Sequence, residues 1–288
     1  MGGTLTKTVW QYTEPLPEET MAFLRGIASD YNKVKNSIYK RYSGIKSLGR
    51  LTPVYDIMSE MRHSGIRTQL GLPSAYFDPA VIDAVADIKG MWGMLKKKIG
   101  ILVTANENLS SEDRMYLRTV LRLDKVYAAV LCHETYELPR NAEGLDIDTE
   151  RLNSLLCRLT RKYLAKPSTG SADYFSIAPC GYTYRNGMLC IASRIPGKRI
   201  ALPLKDDHIC TRQIRLCIRK DYAALALPTE ARIRKHADYE NTIYIHIGYR
   251  DMLTLSNGNV YGQSLGSMTS AETQRLMEKN RERAKMRT

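Results

Sequence analysis

The spacing of apolar residues changes at one point in the chain, and this change constrains the fold more than any other feature. Before residues 166–171 (KPSTGS), apolar side chains recur every three or four residues, as in amphipathic helices. After that stretch they alternate with polar side chains over short runs that end in Asn-Gly or Pro-Gly turns, as in antiparallel strands. The sequence therefore predicts an α+β, multidomain protein in which a helical block precedes small antiparallel sheets.

The helical block is preceded by one strand. Residues 4–12 are β-branched and aromatic and predict a strand, which Pro15 and Pro17 end. Ser110 and Asp113 have the spacing of a capping box, and Asp78-Pro79 is typical of a helix start. Helices are predicted over residues 18–43, from 78 to about 99, from 110 to about 131, and over 149–165.

The strands after the linker predict a small antiparallel β-barrel. They are expected over residues 174–178, 181–185, 188–193, 199–204, 212–219 and 222–227. Residues 242–248, 250–256 and 259–262 predict three further strands, and Thr269 or Ser270 begins a helix that runs on to the end of the sequence. The predicted organisation is a β-barrel from residues 1–14 and 167–236, a helical block over 15–166, and a third segment over 237–288.

Positive charge is concentrated in the second half of the chain. The formal net charge is +13, of which residues 1–165 carry +4 and residues 166–288 carry +9. A soluble chain this basic usually meets a polyanion, and basic side chains interleaved with tyrosines suit the grip of a nucleic-acid backbone with base stacking. The alternative for each residue is an ordinary solvated surface. The candidate nucleic-acid-binding residues are Lys33, Lys40, Tyr182, Tyr184, Lys198, Arg199, Arg212, Arg215, Arg219, Arg250, Arg275, Lys279, Arg281, Arg283 and Lys285.

The sequence gives no sign of a membrane or secretory protein. Its longest aliphatic run, residues 99–103, is far shorter than the roughly 20 residues of a membrane-spanning helix. The N-terminus lacks the pattern of a signal peptide, and none of the six cysteines forms a C-x-x-C pair. We therefore expect a cytoplasmic protein that has no membrane partner.

Residues 245–258 (IHIGYRDMLTLSNG) resemble the first RuvC motif of TnpB nucleases and type V CRISPR effectors. In that family the pattern is roughly Ile-Asp-x-Gly, several residues, then Ser-x-Gly. Tyr261-Gly262, the helix over residues 272–287 and the strand pair over 214–227 are also similar to the family. The resemblance is specific over residues 212–288, while the order strand, helical insertion, barrel and RuvC strand covers the whole chain.

The resemblance implies both an architecture and partners. The β-barrel would be an OB-like wedge, the helical block a recognition lobe, and residues 237–288 the first hairpin and helix of an RNase H-like RuvC domain. The implied partners are a guide RNA and its target DNA, whose heteroduplex such proteins hold by shape and backbone charge. A prokaryotic, phage or mobile-element context follows from the same resemblance.

Two departures from the family bear on catalysis. His246 stands where the family has the first metal-binding Asp of RuvC, and a neutral imidazole does not replace a hard anionic oxygen for Mg²⁺. The later Glu and Asp of the family's two-metal site, and its zinc-binding insert, have no counterpart in residues 249–288. We therefore expect no intact catalytic site and no cofactor in this chain, with Mg²⁺ bound only if a RuvC site is completed.

Three functions are compatible with these features. The first is an RNA-guided DNA-binding protein that is nuclease-inactive on its own. The second is the N-terminal part of a split or truncated RNA-guided endonuclease, completed by another chain. The third is an RNA-binding protein without DNA targeting, or a chance resemblance. An unfinished RuvC sheet would leave an apolar face and an edge, which a second protein chain could complete or cover.

Overall fold

The computed structural model describes residues 4–51, 53–137, 144, 146–170, 173–232 and 243–285, and these residues form a mixed α+β structure. The helices are α1 (Glu18–Tyr42), α2 (Val54–His63), α3 (Ile66–Leu70), α4 (Ser74–Ala105), α5 (Ser111–Arg122), α6 (Asp124–Cys132), α7 (Thr149–Tyr163) and α8 (Leu265–Lys285). The strands are β1 (Thr4–Tyr12), β2 (Tyr174–Ile177), β3 (Tyr182–Arg185), β4 (Met188–Ala192), β5 (Arg199–Pro203), β6 (Ile214–Ile218), β7 (Ala223–Arg232), β8 (Ile245–Ile247), β9 (Leu253–Leu255) and β10 (Val260–Tyr261). Short 3-10 helices cover Ile45–Arg50 and Pro179–Gly181.

The strands of the described residues form three small sheets, and none of these closes into a barrel. The strand orders are β1-β7-β6-β2, β3-β4-β5 and β10-β9-β8. A single bridge between Thr13 and Leu204 links the first two sheets at one corner. Among the described residues no ladder joins β2 to β3, because the 3-10 helix Pro179–Gly181 separates these strands. The expected strands are thus present, but the expected closed barrel is not.

Helices α1 and α4 provide the centre of the core. The apolar stripe predicted on the first long helix is buried at Ile27, Tyr31, Val34 and Ile38, and α1 packs along α4. Phe175 of β2 contacts this helix pair through edge-on and tilted ring contacts with Tyr76 and Tyr31. One continuous hydrophobic core therefore joins the helices to the first two sheets.

Helix α4 begins earlier than the Asp78-Pro79 signal predicts. It starts at Ser74, so Pro79 lies inside its second turn. Proline has no N–H, and the carbonyl of Ala75, four residues earlier, has no intrahelical partner. The backbone N–H of Ala178 donates to that carbonyl at 2.9 Å, which satisfies it from the segment between β2 and β3. A tertiary contact thus lets the helix start one turn before the proline.

The predicted helix from residue 110 to about 131 is two helices. Its capping box is confirmed, since Ser110 Oγ accepts from the Asp113 N–H at 3.0 Å. Leu123 has an extended backbone, with φ −96° and ψ 98°, and this residue separates α5 from α6. The short elements between residues 45 and 70 were not predicted, because they are too brief to show a clear period.

The chain divides into two compact units. One unit comprises residues 5–231 and contains both the helical block and the first two sheets. The other comprises residues 1–4 and 232–288, and its described part holds β8, β9, β10 and α8 without a buried residue. The boundary predicted at residue 237 lies outside the described residues. Within the described part of the chain, no helix is both long enough and apolar enough to cross a bilayer.

Candidate nucleic-acid interface

A basic cleft lies between the loop that joins α3 to α4 and the turn that joins β4 to β5. It has a volume of about 510 Å³. Its basic lining residues are Arg67, Arg194, Lys198 and Arg199, and no described carboxylate lines it. This cleft brings together two of the predicted nucleic-acid-binding residues, Lys198 and Arg199, with two cations that the sequence analysis did not single out.

The turn between β4 and β5 places the cations of the cleft. Gly197 has φ 78°, a conformation that glycine adopts without strain, and follows Pro196 as predicted for this turn. The turn is closed by hydrogen bonds from the Ser193 N–H to the Lys198 carbonyl at 3.0 Å and from the Lys198 N–H to the Ile195 carbonyl at 3.1 Å. Lys198 and Arg199 therefore leave the turn on the side that faces the α3–α4 loop, and both are exposed.

Arg194 fixes the position of the turn against the helices. Its guanidinium donates to the Leu70 carbonyl at 2.7 Å and to the carboxylate of Asp30 at 2.5 Å. Asp30 also accepts from Lys33 at 2.7 Å. Partial burial raises the pKa of Asp30, but the hydrogen bonds from Lys33 and Arg194 outweigh this effect and hold the pKa below its ordinary value. Asp30 thus stays ionised and anchors both cations.

Two of the four cleft cations could not be identified from sequence periodicity. Arg67 lies in the short helix α3, which gives no periodic signal, and Arg194 precedes the Pro196-Gly197 turn. The available signal for Arg194 was its place at the end of a predicted strand next to that turn. Nothing in the sequence places Arg67 beside it, since the two residues meet only through the fold.

The tyrosines predicted to stack on bases belong to the core. Tyr182 is only 5% exposed, and its hydroxyl donates to the carbonyls of Cys210 and Arg212. Tyr184 is partly buried and packs edge-on against Tyr182, with ring centroids 5.8 Å apart. Burial raises the pKa of both phenols. In this structure Tyr182 has no open ring face, so its role is to hold the segment around residue 210.

The predicted arginines of β6 and its flanks are held in different ways. Arg212 pairs with Glu230 at 2.6 Å. Arg215 lies 3.3 Å from Asp83 of α4, and its guanidinium stacks 5.0 Å from the Tyr174 ring centroid. Arg219 is exposed at the end of the strand. On α1, Lys33 is held by Asp30, whereas Lys40 is exposed in the last turn.

A polar network joins α1, α4 and β2 next to the first sheet. Lys35 has a side chain only 2% exposed, and its Nζ lies 2.8 Å from Asp87 Oδ2 and 3.3 Å from the Tyr174 hydroxyl. Burial lowers the pKa of Lys35, but the hydrogen bond to Asp87 outweighs it and leaves the pKa above its ordinary value. One turn earlier on α4, Asp83 accepts from Tyr31 at 2.7 Å and from Ser176 at 2.9 Å. The network is a structural joint, because every member has a protein partner.

In the second unit, residues 245–258 contain the exposed hairpin of β8 and β9. His246 lies on β8 opposite Thr254 of β9, and Asp251 lies in the turn between these strands rather than on the next strand. Among the described residues no three His, Cys, Asp or Glu side chains lie close enough to hold a metal ion. Exposed apolar side chains flank His246, namely Ile243, Tyr244, Ile245, Ile247 and Tyr249.

Helix α8 presents the largest group of predicted basic residues. Every described residue from 270 to 285 is exposed. Arg275 lies 3.5 Å from Glu272 and forms an ion pair with it. Arg275, Lys279 and Arg283 follow one another at four-residue spacing and share a face. Arg250, Arg281 and Lys285 also belong to this unit, and Arg250 and Arg281 are exposed.

Comparisons with known proteins add no relative: neither a protein-family model nor a curated protein matches the chain.

Proposed function

We propose that this chain binds a guide RNA and the heteroduplex that the RNA forms with target DNA, and that on its own it does not cut DNA. The observation that carries the proposal is the basic cleft, where Arg67, Lys198 and Arg199 lie together without a described acidic neighbour in the lining. Backbone phosphates are the ligands that such a concentration of cations attracts.

Two further features support this proposal. Helix α8 carries exposed cations along one face, as a helix that follows a nucleic-acid backbone requires. Residues 245–258 resemble the first RuvC motif of RNA-guided nucleases, with His246 in place of the metal-binding Asp. An imidazole at that position supports binding without cleavage, since Mg²⁺ needs carboxylate oxygens there.

The first experiment is purification of the full chain from its native host, followed by sequencing of the RNA bound to it. We expect RNA with a constant scaffold and a variable end, because base pairing would supply sequence specificity. Protein that is free of nucleic acid would contradict the proposal. Metal-dependent cleavage of guide-matched DNA by the purified chain would contradict its second part.

A charge-removal variant tests the contribution of α8. In the triple variant Arg275→Ala, Lys279→Ala, Arg283→Ala we expect RNA affinity to fall. The slope of log K against log salt should flatten by about 2, because binding with fewer phosphate contacts releases fewer counterions. Fluorescence anisotropy at several salt concentrations measures both quantities. The matched control removes three exposed cations outside the candidate set, Arg122→Ala, Lys125→Ala, Arg158→Ala. Equal slopes for the two triple variants would show that α8 makes no specific contribution.

A further inference from the structure

We propose that the cleft between the α3–α4 loop and the β4–β5 turn binds the terminal phosphate monoester of a nucleic-acid strand. This inference rests on the proposed function, because it assumes that the chain binds nucleic acid. It goes further by assigning one site to one chemical group. The atoms that would recognise the group belong to Arg67, Lys198, Arg199, Thr68 and Ser74, all of which line the cleft.

The charge of the cleft favours a dianion. Arg194 shares the carboxylate of Asp30 with Lys33, whereas Arg67, Lys198 and Arg199 make no ion pair with a described residue. A terminal phosphate monoester carries a charge of about −1.5 to −2 at neutral pH and offers three acceptor oxygens. An internal phosphodiester carries a single charge and has two free oxygens. Three uncompensated cations therefore favour the chain end over the middle of the backbone.

The uncharged hydrogen-bond donors of the cleft also suit a terminal phosphate. Thr68 and Ser74 line the cleft, and their hydroxyls make no hydrogen bond with a described side chain or carbonyl, so both are available to donate to a phosphate oxygen. Ser74 is the first residue of the 32-residue helix α4, whose first turn contains no acidic residue. The positive end of the α4 dipole therefore adds to a site that the cavity and its cations already define.

The size of the cleft also fits a chain end. Its volume of about 510 Å³ falls within the roughly 300–1,000 Å³ of small-ligand sites. A terminal nucleotide with its phosphate is a ligand of that scale. The cleft is built on rigid parts, because Arg194 joins the β4–β5 turn to the Leu70 and Gly26 carbonyls. The two walls of the cleft are therefore joined before a ligand binds, which lowers the entropic cost of binding.

The test compares four oligonucleotides of one sequence: with a 5′-phosphate, with a 3′-phosphate, with both ends as hydroxyls, and with both ends phosphorylated. Anisotropy with the full nucleic-acid-free chain gives the Kd of each. We expect one phosphorylated end to tighten binding about tenfold, which is the contribution of about one charge-assisted hydrogen bond. The two singly phosphorylated strands identify which end the cleft prefers.

Two variants locate the effect. Lys198→Ala, Arg199→Ala should abolish the preference for the phosphorylated strand, whereas Arg122→Ala, Lys125→Ala should keep it. Circular dichroism checks that both variants are folded, which is expected because all four side chains are exposed. Equal affinity of the native chain for all four strands would overturn the terminal-phosphate site and leave the proposed function standing. A preference that persists in Lys198→Ala, Arg199→Ala would overturn the location. Failure to bind any strand would overturn both the site and the proposed function.

Discussion

At the scale of single residues, alternation in the sequence predicts a strand correctly but does not say which of its faces is inside. Tyr182 and Tyr184 share one face of β3, and in the ladder they lie opposite Ile191 and Leu189 of β4. Both of these β4 residues are fully buried, so the tyrosines face the core with them. The pairing register decides the side, and register depends on a second strand that a single strand's pattern does not contain.

The sequence pattern of a strand also does not say whether its basic side chains pair within the fold. Arg215 alternates with apolar neighbours on β6, as predicted, yet its guanidinium lies against Asp83 and Tyr174. Lys198 ends the β4–β5 turn and Arg199 begins β5, and both line an open cleft. The difference comes from α4, whose carboxylates reach β6 and do not reach the β4–β5 turn. The pattern of a single strand therefore does not distinguish a basic residue that pairs within the fold from one that lines an open cleft.

The ion pair between buried Lys35 and half-exposed Asp87 gives a prediction at this scale. In Asp87→Ala the ammonium of Lys35, whose side chain is 2% exposed, loses its carboxylate partner. The free energy of unfolding should fall by about 2–3 kcal/mol. This loss is smaller than that for a fully buried pair, because Asp87 is partly hydrated. Lys35→Met removes the buried charge and leaves only the half-exposed Asp87 without its partner. The free energy of unfolding should therefore fall by less than in Asp87→Ala. Urea unfolding followed by tryptophan fluorescence measures both. A larger cost for Lys35→Met would contradict this account of the pair.

At the scale of elements, the long helices were predictable, because each carries several turns of periodic apolar residues. The 25 residues of α1 match the predicted helix to within one residue at its end. The predicted start of α4 was wrong by four residues, because the N–H of Ala178 donates to the Ala75 carbonyl and the helix can begin before Pro79. Helix ends that depend on partners distant in sequence cannot be read from local signals such as Asp78-Pro79.

The contact between the start of α4 and the segment before β3 gives the element-scale prediction. A Cβ added at Gly181 would lie 2.5 Å from the Ala75 Cβ and 2.8 Å from Ile177 Cγ2. Neither neighbour is the end of a flexible side chain, so Gly181→Ala should destabilise the fold by about 1–3 kcal/mol. The control is Gly90→Ala on α4, where a Cβ would meet nothing within 4 Å and should stabilise the helix by up to about 1 kcal/mol. Opposite signs in thermal unfolding are the expected result, and equal effects would refute the close packing at Gly181.

At the scale of the whole molecule, the sequence predicts the excess of positive charge but not the site where it is concentrated. The cleft joins Arg67 to residues 194–199, and no periodicity connects segments so distant along the chain. Similarly, the predicted strands are present but form separate open sheets, because closure depends on where the 3-10 helix Pro179–Gly181 packs. Composition and period are therefore local properties, while clefts and sheet closure depend on how the elements assemble.

The division into two compact units gives the last prediction. Both tryptophans, Trp10 on β1 and Trp92 on α4, belong to the unit of residues 5–231, so tryptophan fluorescence reports the unfolding of that unit alone. Leu24→Ala removes a fully buried side chain from its core and should cost about 2–5 kcal/mol. Ile247→Ser changes a residue that is 78% exposed in the other unit and should shift the same urea transition by less than about 0.5 kcal/mol.

Matched volumes make this comparison informative. Both substitutions remove a large aliphatic side chain, so burial is the main difference between them. If Ile247→Ser lowered the tryptophan-monitored transition as much as Leu24→Ala, the two units would unfold as one. The division of contacts at residues 231–232 would then have no energetic counterpart. If Ile247→Ser left the tryptophan-monitored transition unchanged, residues of β8 could be substituted without destabilising the unit that contains the cleft. The β8–β9 hairpin and the basic cleft could then be tested independently.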